Sequence, residues 1–77
     1  MNYEQRLNDK QRQRFAFMLK QKRKDNKLSQ EKLADILGYG QADIQRWEAC
    51  KVRPNLYQVE DVATYFNLPL NILIGEG

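Results

Sequence analysis

Gly38 stands between two short apolar periods, and this interruption limits the fold of the chain more than any other feature. Before it, Leu33, Ile36 and Leu37 recur at i, i+3, i+4; after it, Ile44 and Trp47 recur at i, i+3. Each set places apolar side chains on one helical face, so two short amphipathic helices share one core. Ser29 is suited to cap the first, its hydroxyl accepting from an amide one turn in, with Gln30 and Glu31 in the first turn. Gly38 can take the left-handed conformation that ends a helix. Only Tyr39 and Gly40 then precede Gln41, so the second helix leaves at a steep angle instead of folding back antiparallel. Ala34 suits that geometry, because two axes crossing closely leave room for little more than a methyl group.

The pattern resembles the DNA-reading helix-turn-helix, and the residues are similar to those of the phage-repressor family that includes Cro and lambda repressor. Leu28-Ser29-Gln30-Glu31 open the motif, Leu33-Ala34 lie in its first helix, Gly38 marks the turn, and Ile44, Trp47 and Glu48 belong to its second helix. Lys51, Arg53 and Pro54 downstream fit as well, and the likeness runs over residues 15–74. It implies an all-α, lambda-repressor-like fold, a compact bundle of five short helices. Residues 1–14 form a basic N-terminal extension or the start of the first helix, and residues 15–77 the helix-turn-helix domain.

The flanking segments read as further helices. Asn8 or Asp9 can cap a first helix running to about Asn26, on which Phe15, Met18 and Leu19 share one face and Phe17 lies opposite. Phe17 needs cover: either the extension bearing Tyr3 and Leu7 folds back over it, or a second subunit does. The first option needs no other molecule. Pro54 ends the loop after the reading helix, and Asn55 with Gln58 forms a capping box. Leu56, Val59, Val62, Ala63 and Phe66 follow at helical spacing, Asn67-Leu68-Pro69 breaks the helix, and 70–74 form a fifth. Leu68, Leu70, Ile72, Leu73 and Ile74 are more apolar residues than one short helix buries on one side, which points to a second subunit.

Composition bounds the function. The chain has 77 residues, enough for one small domain, and a net charge of +3. Residues 1–27 carry nine Lys and Arg against three acids, residues 28–53 four against four, and residues from 54 onward three acids and no Lys or Arg. Such polarity suits a protein that orients on a polyanion, although a basic helix surface can also be merely solvated. The longest apolar run is 15–19, too short to span a membrane, and the polar segment 2–13 lacks the apolar stretch of a signal peptide, so the expected location is cytoplasmic. With no histidine and one each of serine, threonine and cysteine, no Ser-His or Cys-His pair can form, and no metal cluster or phosphate-binding glycine loop is present. No catalysis, cofactor or metal is expected.

The outward residues of the second helix, Gln41, Ala42, Gln45 and Arg46, are then the candidate base readers. Gln matches adenine, Arg grips guanine O6 and N7, and an Ala methyl can rest on the thymine methyl. Asp43 is repelled by phosphates, so it either turns from the backbone or accepts from a cytosine amine; the preferred assignment is the helix start, where the dipole favours a negative charge. Gln30, Lys51 and Arg53 are candidate phosphate contacts, with Lys27, Lys32 and the Tyr39 hydroxyl behind them, the Tyr39 ring itself packing at the core rim. The resemblance also implies a structural ion pair between Arg23 and Glu48. Cys50 departs from the family, which has glycine at this helix end: either it turns left-handed under strain, or the loop takes another path.

One reading helix covers only a few base pairs, so specificity calls for two copies on a palindromic operator. The expected partners are therefore double-stranded DNA and a second subunit, with Leu68, Leu70, Ile72, Ile74 and Phe17 as dimer contacts. The expected function is a sequence-specific DNA-binding transcriptional regulator, a repressor that occupies its operator and excludes polymerase. The alternative is an interaction module, an antitoxin or phage-type adaptor, acting mainly through a protein partner.

Overall fold

Asn8 opens the first helix of the computed structural model, which describes residues 6–75. Its side chain accepts from Gln11 N at 2.8 Å, while the Gln11 side chain accepts from Asn8 N at 3.1 Å, a capping box that settles the start. The helices are α1 (Asp9–Asp25), α2 (Gln30–Leu37), α3 (Gln41–Glu48), α4 (Leu56–Phe66) and α5 (Leu70–Ile74). Since α1 begins at Asp9, residues 9–14 are the start of the first helix, continuous with the remainder of the domain. Among the described residues no helix is long and apolar enough to cross a membrane.

One core joins all five helices. Phe15, Met18 and Leu19 of α1, Leu33 and Ala34 of α2, Ile44 and Trp47 of α3, Leu56, Val59, Val62 and Ala63 of α4, and Leu73 of α5 are buried together. Ile36 does not join them. It is exposed, because α2 turns its Leu33, Ala34 and Leu37 arc inward and residue 36 lies about 100° to one side of that arc's centre. The shared face is thus Leu33-Ala34-Leu37, and Ala34 is the position that lets α2 and α3 approach.

Leu7 is also in this core. Its amide donates to the Pro54 carbonyl at 3.2 Å and Arg6 forms an antiparallel bridge with Asn55, so the N-terminal segment lies on the loop between α3 and α4. That corrects the expected cover for Phe17: Leu7 is drawn into the main core on the other side of α1, Tyr3 lies outside the described residues, and Phe17 stays 62% exposed.

The surplus of apolar residues at the C-terminal end is smaller than the sequence suggests. Leu73 is fully buried, and Leu68, Leu70 and Ile74 pack half-buried against the domain's own core, leaving Ile72 outward. A helix of five residues achieves this because the α4–α5 corner adds a second contact surface; Asn67 takes a left-handed φ of 55° there and Leu68 N donates back to Ala63 O.

Candidate nucleic-acid interface

The turn between α2 and α3 is set by Gly38 and held by aromatic packing. Gly38 adopts φ 81°, and both its amide and that of Tyr39 donate to Ala34 O at 2.8 and 2.9 Å. The Tyr39 ring meets Trp47 edge-on at 5.3 Å, and Trp47 meets Phe15 of α1 edge-on at 5.9 Å. Helix α3 is therefore pinned through one indole to both the turn before it and α1. The Tyr39 hydroxyl donates to Asp61 of α4, so it is already engaged within the protein. Burial, then the Asp61 hydrogen bond, push its pKa up to about 12.

At the start of α3, Asp43 accepts from Gly40 N at 3.1 Å, a carboxylate on the positive end of the helix. Its other oxygen lies 4.0 Å from Arg46, and both side chains are well exposed. With Ile44 and Trp47 buried, the opposite face presents Gln41, Ala42, Gln45 and Arg46, all four exposed. Among the described residues, no other segment covers these four.

The far end of α3 is tied to α1. Arg23 Nε reaches Glu48 Oε2 at 2.6 Å, Arg23 Nη2 reaches Oε1 at 3.0 Å, and Arg23 Nη1 donates to Leu28 O at 2.8 Å. The Glu48 hydrogen bond raises the Arg23 pKa against the opposing effect of burial. Gln30 Nε2 donates to the same Glu48 at 3.1 Å. The amide expected to meet a phosphate thus turns one N–H to this buried carboxylate and carries a second N–H besides.

After α3 the chain closes a left-handed turn at Cys50, φ 60°, with Cys50 N donating to Trp47 O and Lys51 N to Arg46 O. Of the two paths open to the loop, the chain follows the strained one. Lys51 and Arg53 are exposed on it, and Arg53 forms an ion pair with Asp9 at the start of α1. Lys27, also exposed, holds the equivalent left-handed position after α1, φ 57°, while Lys32 is exposed on α2. The structure thus gathers Gln41, Gln45 and Arg46 on one helix face with Lys51 and Arg53 just beyond its end. Leu68, Leu70 and Ile74 belong to the core rim, and Phe17 and Ile72 are exposed.

Three groups were not legible beforehand. Asp9 and Arg12 stand at i, i+3 on α1, which hints at their mutual ion pair, but nothing local indicates that Arg12 reaches Cys50 O at 2.8 Å or Asp9 reaches Arg53. Asp61 as the Tyr39 partner gave no signal either.

A family model described as helix-turn-helix matches residues 19–73. The fold is similar to the solution structure of the SOS-response transcriptional repressor LexA from Eubacterium rectale, with a TM-score of 0.79 and 24% identity over 91% of this chain and 74% of that one. It is also similar to the crystal structure of the hypothetical transcription factor NHTF from Neisseria, with a TM-score of 0.77 and 20% identity over 91% of this chain and 82% of that one. No curated protein matches the chain.

Proposed function

The chain belongs to the helix-turn-helix family of DNA-binding regulators, and from that premise we propose that it is a sequence-specific transcriptional repressor that inserts α3 into the major groove of its operator. The observation that carries this reading is the division of α3: Ile44 and Trp47 are buried, and Gln41, Ala42, Gln45 and Arg46 stand exposed in donor, acceptor and methyl chemistry suited to base edges. Lys51 and Arg53 grip phosphates on one flank of the helix. On the other, the second N–H of the Gln30 amide and the main chain at the positive end of α2 do the same, with Lys27 and Lys32 nearby.

Two copies act together on a palindromic site, each reading one half, and occupancy of the operator excludes polymerase. Ile72, exposed beside the half-buried Leu68, Leu70 and Ile74, offers the apolar patch for that contact. The protein acts in the cytoplasm, without a cofactor.

Selection of bound duplexes from random sequence tests the reading. An enriched palindrome, bound with an affinity that falls steeply with salt, supports it; the absence of any enriched sequence refutes it. A second reading is favoured by one observation. Phe17 stands 62% exposed on a groove of about 550 Å3 lined by Ala16, Lys20, Gln21, Lys24 and Glu48, which would accept a protein partner. An interaction module of this kind yields no enriched palindrome.

A further inference from the structure

We propose that the N-terminal segment 6–12 sets how firmly this protein holds the DNA backbone, with Asp9 occupying the Arg53 guanidinium that a phosphate would otherwise take. The inference rests on the DNA-reading function proposed above and concerns the regulation of that same surface.

Three carbonyls of the loop after α3 are claimed by this one segment. Arg12 Nη1 donates to Cys50 O at 2.8 Å, Arg6 Nη1 to Arg53 O at 2.8 Å, and Leu7 N to Pro54 O at 3.2 Å. Leu7 and Pro54 are fully buried, which anchors the strap beneath the loop. The main chain of the loop is therefore fixed from Cys50 to Pro54 while the side chains of Lys51 and Arg53 remain outside.

On that fixed loop, Asp9 Oδ1 accepts from both Arg53 Nη2 and Arg12 Nη2. A DNA phosphate and the Asp9 carboxylate differ in shape, but each presents two acceptor oxygens bearing negative charge, and both suit the Arg53 guanidinium. The Arg53–Asp9 pair is exposed, at 50% and 63%, so water screens it and it opens at small cost. When Arg53 turns to a phosphate, Asp9 keeps Arg12 as a partner, at 3.2 Å, and is not left without a cation. Arg53 is thus a switched contact: paired inward in the free protein and outward on DNA. Because phosphate contacts carry no sequence information, the effect of Asp9 falls equally on cognate and unrelated duplexes.

The test uses the full chain, its selected palindrome and a scrambled duplex, titrated by fluorescence anisotropy over a range of salt. Asp9→Asn is expected to tighten binding to both duplexes by roughly twofold to fivefold, the range set by an exposed ion pair. Arg53→Gln should weaken binding and flatten the log–log salt slope by about 0.9. In the Arg53→Gln background, Asp9→Asn should give no gain, which separates competition for Arg53 from any general effect of charge at the α1 start. A gain that survives in that background, or an affinity unchanged or weakened by Asp9→Asn alone, overturns the proposal while leaving DNA reading intact. Folded wild-type protein that selects no duplex overturns both.

Discussion

Arg23 and Glu48 lock α3 to α1 through two parallel hydrogen bonds between side chains that are only 11% and 4% exposed. The link is fixed at both ends, since Arg23 also binds Leu28 O and Glu48 also accepts from Gln30. A pair of this kind contributes little net stability over an apolar substitute, but removing one partner strands the other charge away from water. Glu48→Gln should therefore cost about 3 kcal/mol. In a domain of this size that lowers the thermal midpoint by more than about 10 °C. An unchanged midpoint in calorimetry would show that the pair is idle.

Backbone strain predicts effects of opposite sign at positions sharing one conformation. Gly38, Lys27 and Cys50 all have φ between 57° and 81°, but only the first is glycine. A Cβ at Gly38 would meet nothing within 4 Å, so Gly38→Ala tests the backbone alone and should destabilise by about 1 kcal/mol. Cys50→Gly and Lys27→Gly should each stabilise by about the same amount, less what the freer unfolded chain gives back. Urea denaturation of the three variants measures this; destabilisation by both glycine replacements would mean that side-chain contacts outweigh the strain.

These left-handed residues also show where sequence stops informing structure. The apolar spacing around Gly38 indicates α2 and α3, and the Asn55–Gln58 pair marks the start of α4, because such signals are local: a period, a cap, a turn residue. Cys50 leaves its loop undetermined, since a non-glycine residue permits two paths and only packing chooses. Arg53 is 44 residues from Asp9, and Tyr39 is 22 from Asp61, so no periodicity links either pair. Ile36 and Leu7 fail for a third reason. Each is apolar, but burial depends on which arc of α2 faces α3 and on where a segment outside any helix comes to rest.

Tyr39 gives the fold an alkaline limit. Burial first, and then the hydrogen bond to Asp61, raise its pKa from 10.0 to about 12, so the folded state favours the neutral phenol. The corresponding stabilisation is complete below the unfolded value of about 10 and is lost as pH rises through about 12. Wild-type stability should decline across that window, and Tyr39→Phe should lack this component. In absorbance titrations the same variant should lose the phenolate that forms near pH 12; retention of that phase would assign it to another group.

The two kinds of proposed DNA contact can be told apart by what each substitution changes. Gln45 and Arg46 are exposed on α3 between the buried Ile44 and Trp47, so truncating either leaves the core untouched and stability within about 0.5 kcal/mol. If they read bases, Gln45→Ala and Arg46→Ala should each cost about 1 to 3 kcal/mol on the selected operator, with preference relaxed at one base pair per half-site. Lys51 lies on the strapped loop and faces no base in this scheme. Lys51→Ala should weaken all duplexes alike and reduce the salt slope by about 0.9, with the base preferences preserved. The decisive comparison is between profiles, not affinities. Should Arg46→Ala weaken every sequence equally, Arg46 would be a phosphate contact and α3 would sit higher in the groove, leaving Gln41 and Gln45 to carry the specificity.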